Sequence, residues 1–600
     1  MRTGRAQPRG RAVAGVEEDG VERPSRPVDR AMESEDRVAK LTPDKRALLR
    51  QRLQGPLSDG HASVARSFKA LGITHVFGVP GHPLYETFSA LVKHGIRPIG
   101  MRQQQAAALA ALSYNYFAGE QKAALVVSSG AGVTNALTGI LVAHDNCWPL
   151  LVLGGNCPQA ARDKGYFMAA DAASLCRPVT KWAATVASTE TLPAAIAEAF
   201  EIAQSGRPGP VFLDLPEDIV TGAARSSCAA SAKPPAPVPP NLEEVERAFR
   251  CLAAAKRPLL VIGKGLRWSA PFAELQALVN RARLPFITSP IGRGTLPDDH
   301  PLCLNPVHWR AQSEADVVVV LGARLDWTFR YGSHIADSAI LIQVDIHAPE
   351  FGRNRAANLA ICADVGGFIR ALRGRFESGQ NAGPGIERDE AWIDGLQRER
   401  QSRIDIWEGR SGDDSVPISP YRLARELREA LPHNTALILD SSLTMAVCQR
   451  VIPAREPVAR LTPGSSGCLG VGVPFAIGAK LCDPRRPVVA VCGDFAFGLS
   501  AMEMETAMRY RLPIVVVVAN NDGNLGLVRQ HALFPADHPD RITAFQPGLR
   551  YEQITQTFGG YGEYVEHPAQ IAPALRRALS SGVPACVNVR TDPHAPYPRD

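Results

Sequence analysis

Asp494 and Asn521, together with the backbone carbonyl of Gly523, are the residues whose types and spacing say most about chemistry. They belong to residues 493–524, GDFAFGLSAMEMETAMRYRLPIVVVVANNDGN. One carboxylate, one or two amide oxygens (Asn520 and Asn521 are adjacent) and a carbonyl suit a hard cation such as Mg2+. That ion keeps octahedral oxygen coordination and shares it with phosphates. The apolar runs 488–492 and 514–519 read as buried strands. Between them Ser500 and Glu503 form a capping-box pattern ahead of a helix closed by Arg509. The unit is strand, turn, helix, strand. It places the polar residues at the carboxyl ends of parallel strands, where ligands bind, with free helix N–H groups facing the same phosphates.

Such a unit needs a sheet around it, and the rest of the chain supplies the pattern. Six hundred residues are too many for one core, so three domains are expected. Strand-like runs at 75–80, 96–100, 124–129 and 149–155 alternate with helical stretches, one of them alanine-rich. The pattern repeats at 258–262, 317–321 and 340–344, and again from 437 onward. The fold class is therefore α/β, three doubly wound parallel-sheet domains. Composition shifts set the boundaries: a tail at 1–55, a first domain at 56–222, an Ala/Ser/Pro linker at 223–240, a middle domain at 241–376, a charged connector at 377–415 and a last domain at 416–600.

Charge and cysteine usage exclude several classes. Residues 1–55 hold thirteen Lys/Arg against nine Asp/Glu, which leaves about +2 of the net +6 for the rest. A nucleic-acid face on the body is not expected. No apolar run approaches the roughly 20 residues of a membrane span. The Arg-rich start lacks the apolar core of a secretory signal. Twelve cysteines without CxxC pairs fit a reduced, cytoplasmic setting. Within the basic, disordered tail, residues 41–53, LTPDKRALLRQRL, read as a short amphipathic helix. It resembles helices flanking domains of peptide and polyketide synthases, which implies docking to a synthase or carrier protein. A stray helix packing on its own body is the other reading.

The 493–524 unit resembles the thiamine-diphosphate (ThDP) binding motif, Gly-Asp-Gly, a gap, then Asn-Asn. Here Phe495 replaces the third glycine. The loop at 129–135, SGAGVTN, is similar to the Ser-Gly-Pro-Gly-x-x-Asn of the pyrimidine-binding domain. VIGKG at 261–265, DDHP at 298–301, GARLDW at 322–327, IQVDI at 342–346 and NCWPLLV at 146–152 resemble 2-hydroxyacyl-CoA lyases and oxalyl-CoA decarboxylases, with similarity also to acetolactate synthase-type enzymes. The resemblance covers residues 62–598. It implies pyrimidine-binding, middle and diphosphate-binding domains. It implies ThDP held by Gly467, Leu469, Gly493, Asp494, Phe495, Ala496 and Asn521, and Mg2+ held by Asp494, Asn521 and Gly523. Leu469 would be the apolar wedge that bends the cofactor, and Gln104 and Leu469 would be the residues closest to its chemistry. The site would lie between the first domain of one subunit and the last of another, in a homodimer or homotetramer.

Three departures shape the functional expectation. Gln104 stands where the family has a glutamate that shares a proton with the aminopyrimidine ring. An amide can hydrogen-bond there but cannot relay the proton, and acid–base help of that kind is worth about 10²–10⁴ in rate. Residues 165–169, GYFMA, keep the Phe of the family's Phe-Gln-Glu and lose both polar residues. The basic, aromatic segment that folds over CoA in relatives has no counterpart after residues 592–597. The expected function is a decarboxylative carboligase of specialised metabolism, using a 2-oxo acid or acyl donor and a carbonyl acceptor. The alternatives are a 2-hydroxyacyl-CoA lyase and a non-catalytic ThDP-fold scaffold. Retention of Asp494, Asn521, Gly523 and Leu469 argues against the scaffold. The glycine turns Gly263-Lys264-Gly265 and Gly322 leave two readings for the middle domain, a bound nucleotide or tight structural turns.

Overall fold

The computed structural model describes residues 42, 57–225, 236–378, 387–535 and 538–598. The chain divides into two compact units. One is residues 1–57 with 225–227; the other, residues 58–224 with 228–600, carries three parallel sheets. The expected helix at 41–53 lies outside the described residues, Thr42 apart.

The first sheet contains β1 (His75–Val79), β2 (Arg97–Gly100), β3 (Ala123–Val127), β4 (Leu150–Asn156), β5 (Trp182–Thr185) and β6 (Pro210–Pro216), in the order β2-β1-β3-β4-β6-β5. The middle sheet contains β7 (Pro258–Ile262), β8 (Phe286–Thr288), β9 (Val317–Leu321), β10 (Ile340–Asp345) and β11 (Leu359–Cys362), in the order β8-β7-β9-β10-β11. The last contains β12 (Ala436–Leu439), β13 (Arg460–Leu461), β14 (Val488–Gly493), β15 (Val515–Asn520), β16 (Tyr561–Val565) and β17 (Ala585–Arg590), in the order β13-β12-β14-β15-β17-β16. The central strands are continuous apolar runs because helices cover both faces: every residue of β4, β9, β14 and β15 is buried. In each sheet the first strand pairs with one successor on each side. The switch points are thus β1/β3, β7/β9 and β12/β14, and crevices open at their carboxyl ends.

Two helices of the first domain matter for the site, α1 (Gln104–Ala118) and α2 (Ala131–Asn146). Residues 106–116 of α1 are all buried. The alanines there allow close packing against α4 (Gly472–Cys482) of the last domain, where a Cβ on Gly478 would strike the carbonyl of Ala110. Ser113 Oγ donates to Phe475 O at 2.7 Å, and Trp148 lies between Tyr116 and Phe475 with ring centroids 5.1 and 6.0 Å away. The first and last domains therefore share one core.

The charged connector differs from expectation. Most of it is a helix of 22 residues, α3 (Glu390–Ser411), capped by Asp389 accepting from Trp392 N at 3.0 Å. Only Trp392, Ile393 and Leu396 anchor its first turns in the core, and Arg310–Glu399 (2.9 Å) pins its middle. Charge on nearly every face hides its helical period in the sequence. No helix among the described residues is long and apolar enough to cross a membrane.

Candidate active site

β14 and β15 run in register with Gly493 opposite Ala519, so Asp494 and Asn520 leave the sheet at one level. Asp494 opens the short helix α5 (Asp494–Gly498) and is 1% exposed. Its Oδ1 accepts from Phe495 N at 2.7 Å and its Oδ2 from Gly523 N at 2.9 Å. Burial pushes its carboxyl up to about 7, against the pull of those N–H groups. A carboxylate in such surroundings is costly without a counter-charge.

The two asparagines separate. Asn520 is committed to structure, its amide nitrogen donating to Leu549 O at 3.0 Å. The Asn521 amide donates to Gly523 O (2.9 Å) and accepts from Gly526 N (3.3 Å). An amide and a carbonyl oxygen thus lie near the buried Asp494 carboxylate, oxygens of the kind a hard cation takes. Among the described residues no group of three His, Cys, Asp or Glu side chains could hold a metal ion, so any cation here relies on amide and carbonyl oxygens.

The crevice around Asp494 lies at the β12/β14 switch point. Leu469, Gly493, Asp494, Phe495, Ala496, Asn521 and Gly523 all line it. Ser441, Ser442, Leu443, Thr444, Asn524 and Leu525 complete the wall. Sequence reasoning gave these six no role. The available signal was the adjacency of residues 440–442 to a second strand end. Gly467 is exposed and does not line the crevice; its φ of 62° turns the chain two residues before Leu469. Gln104 does not line it either.

The loop carrying Leu469 is held at both ends. Asn146 Nδ2 donates to Pro463 O (3.0 Å), and Asn146 Oδ1 accepts from Ser465 N (3.1 Å). Lys264 Nζ and Asp326 Oδ2 each meet Ser465 Oγ at 3.0 Å, and Trp327 Nε1 donates to Ser465 O at 2.9 Å. At the far end Asp440 Oδ2 accepts from Gly472 N at 2.8 Å. Asp440 is fully buried, and burial pushes its carboxyl up to about 6 despite the N–H groups around it.

Gln104 begins α1, and its Oε1 accepts from Asn135 Nδ2 at 3.3 Å. The segment before it is gripped by the last domain. Glu503, the first residue of α6 (Glu503–Arg509), is 2% exposed and accepts from Arg102 N and Gln103 N, both at 3.1 Å. Tyr510 OH accepts from Gly100 N at 2.7 Å, and Arg509 Nη2 donates to Gly100 O at 2.8 Å. This corrects the expected capping box. Ser500 Oγ is buried without a partner, and the Glu503 carboxylate serves the start of α1. The reason is that α6 starts at Glu503 itself, while the N–H groups of the two residues that precede α1 lie within reach.

Comparison with known proteins agrees with this geometry. Residues 58–175 match the family described as thiamine pyrophosphate enzyme, N-terminal TPP binding domain; residues 245–372 match its central domain, and residues 441–589 its C-terminal TPP binding domain. The chain is 33% identical over 561 residues to 2-hydroxyacyl-CoA lyase 1 of Mus musculus, covering 89% of this chain and 94% of that protein. It is 32% identical over 549 residues to the acetolactate synthase large subunit IlvG of Mycobacterium tuberculosis (91% and 98%). It is 29% identical over 557 residues to the oxalyl-CoA decarboxylase of Escherichia coli (90% and 96%). With all three domains matched and relatives of this identity along nearly the whole length, the chain belongs to the thiamine pyrophosphate enzyme family.

Proposed function

We propose that the protein is a ThDP- and Mg2+-dependent carboligase that joins a fragment of a 2-oxo acid or acyl donor to a carbonyl acceptor. The observation that carries this reading is the apolar run Phe167, Met168 and Ala169. Phe167 is 69% exposed, and Met168 packs its backbone on Gly130 beside the Gln104 loop. A site without the relatives' polar pair offers fewer protons to quench a nucleophilic fragment before it meets a second carbonyl.

When bound, ThDP supplies an electron sink for carbonyl chemistry. Asp494, Asn521 and Gly523 would hold the cation, and the hydroxyls of Ser441, Ser442 and Thr444 would meet the diphosphate. Leu469 would fix the ring from one side. Gln104 would orient the aminopyrimidine by a hydrogen bond without delivering a proton. Gln104 and Gly467 stand outside the Asp494 crevice, which supports a site completed by a second copy of the chain, in a dimer or tetramer. We also place the protein in the cytoplasm, in specialised metabolism, with a carrier protein or synthase as partner through residues 41–53. The cavity of about 380 Å3 at the β7/β9 switch point, lined by Lys264, Arg324 and Asp345, supports the nucleotide reading of the middle domain.

A second reading, cleavage of a 2-hydroxyacyl-CoA, is favoured by another cavity. About 650 Å3 in volume, it is lined by Trp309, Trp327, Trp407, Arg293, Arg400 and Arg450, with Tyr597 in its wall. Aromatic and guanidinium groups suit a nucleotide-bearing handle.

The test is product analysis with ThDP and Mg2+. Pyruvate and an aldehyde are offered in one arm, and a 2-hydroxyacyl-CoA in the other. Coupled hydroxyketone should form faster than the thioester is cleaved. Gln104→Glu should exchange the thiazolium proton faster while giving more free aldehyde and less coupled product. Faster cleavage than coupling by the native protein hands the function to the lyase. No exchange above the free-cofactor rate in either form makes the protein a scaffold.

A further inference from the structure

The β1/β3 switch point of the first domain carries a set of proton-bearing side chains that the foregoing account leaves unused. β1 runs into Pro80, Gly81 and His82, and β3 into Ser128, Ser129 and Gly130. The two turns are tied together. Ser129 donates to His82 O from both its N–H (3.2 Å) and its hydroxyl (3.3 Å). A Cβ on Gly81 would lie 2.6 Å from Ser128 Cβ, so the turns touch. Ser128 in turn packs on Gly132, and the Gln104 amide stands 3.7 Å from where a Gly132 Cβ would be. His82 and Gln104 thus flank one loop at one crevice, the position where parallel sheets take their ligands.

His82 is not alone there. Its Nε2 lies 3.2 Å from Glu217 Oε2, and Tyr166 OH donates to the same oxygen at 2.9 Å. Glu217 is the first residue after β6, and Tyr166 belongs to the segment whose other members are Phe167, Met168 and Ala169. The side chains of His82 and Glu217 are 37% and 26% exposed, open to a ligand from the crevice. Asp218, next in the chain, is turned away to Gln159 (3.1 and 3.2 Å). Among the described residues the other ring nitrogen of His82, Nδ1, has no hydrogen-bond partner. A carboxylate on one imidazole nitrogen fixes ring orientation and tautomer and leaves the other free for proton transfer.

We propose that His82, oriented by Glu217 and Tyr166, moves the proton at the carbonyl oxygen of the substrate. The proposal rests on the carbonyl chemistry stated under Proposed function. As a carbon–carbon bond forms at the acceptor carbonyl, the oxygen takes the imidazolium proton and becomes a hydroxyl, leaving neutral imidazole. On product release the imidazole takes a hydroxyl proton back as the carbonyl reforms. The two transfers balance, and in the cleavage direction they run in reverse order, so the assignment serves ligase and lyase alike.

The test compares His82→Gln, Glu217→Gln and the native holoenzyme by three readouts. Calorimetric ThDP affinity and thiazolium proton exchange should stay within about twofold, because neither needs His82. Turnover of His82→Gln should fall about 10²-fold or more, the range of general acid–base catalysis, and the limb of the kcat/KM pH profile owed to the histidine should vanish. Glu217→Gln should lower turnover less, since the amide can still face Nε2 while holding the ring less firmly. The Glu217 variant also decides the matter if His82→Gln fails to fold. Native-like turnover and pH profile in either soluble variant overturn the proposal and leave His82 an ion-paired surface residue. Absence of turnover and exchange in the native enzyme overturns the carbonyl reading and this proposal together; native turnover with an indifferent His82 overturns this proposal alone.

Discussion

Asp440 shows how a single side chain can weigh on a site from outside it. The folded state holds its proton up to about pH 6, while an unfolded carboxyl releases it near 3.8. Between those values the folded form keeps a proton that the unfolded form has lost, so stability falls as pH rises through the window and levels off above it. A shift of about two units corresponds to about 3 kcal/mol. Asp440→Asn keeps an acceptor for Gly472 N and removes the buried charge. Its melting temperature should exceed the native value at pH 8 and approach it at pH 4.5, as thermal unfolding at the two pH values would show. A constant difference between native and variant would mean that Asp440 does not titrate there. At this scale the sequence was readable where chemistry restricts residue choice. A carboxylate and an amide at two strand ends have few uses in common besides a cation, so Asp494 and Asn521 stood out. Ser441, Ser442 and Thr444 did not, because hydroxyls are common in any turn. Asn520 and Asn521 offer the same chemistry by type; the resemblance singled out Asn521, and the fold commits Asn520 to Leu549 O.

Elements were legible where their apolar period was strong and illegible where their partners were distant. The runs that became β9, β14 and β15 announced themselves, as did the alanines of α1. Ser500 and Glu503 have the spacing of a capping box, yet the carboxylate holds the two residues that lead into a helix some four hundred residues away in sequence. Local spacing cannot reveal a competitor brought in by the fold. Glu503→Ala would remove the acceptor of two part-buried N–H groups, at about 0.5–1.5 kcal/mol each. Amide hydrogen exchange at Arg102 and Gln103 should accelerate at least tenfold, with Glu503→Gln intermediate because its carbonyl can still accept. Unchanged exchange in the alanine variant would show that the start of α1 is held by other means. The 22-residue α3 was missed for the opposite reason: it has almost no apolar face to read.

At the scale of the whole molecule the three sheets repeat one device, a crevice where strand order reverses. The fold class followed from strand–helix alternation, but the docking of the domains did not, since it depends on single polar contacts. Asn146, 1% exposed, joins the end of α2 to the loop of the last domain through Pro463 O and Ser465 N. Asn146→Ala should cost about 1–3 kcal/mol for each group left unpaired. It should also weaken ThDP binding, because the same loop carries Leu469. Differential scanning and titration calorimetry on one preparation would separate the two effects, and undiminished cofactor affinity would uncouple the clamp from the wedge.

The grip of the last domain on Gly100, Arg102 and Gln103 is made mostly on main-chain atoms, with one added bond from Arg102 Nη1 to Glu505 at 3.4 Å. Its consequence is heritable. The side chain at 104 contributes nothing to that grip, so an amide and an acid are interchangeable parts on one mount, separated by a single base of the codon. A lineage can trade speed of cofactor activation against fate of the product at this position without repacking a neighbour, and trade it back.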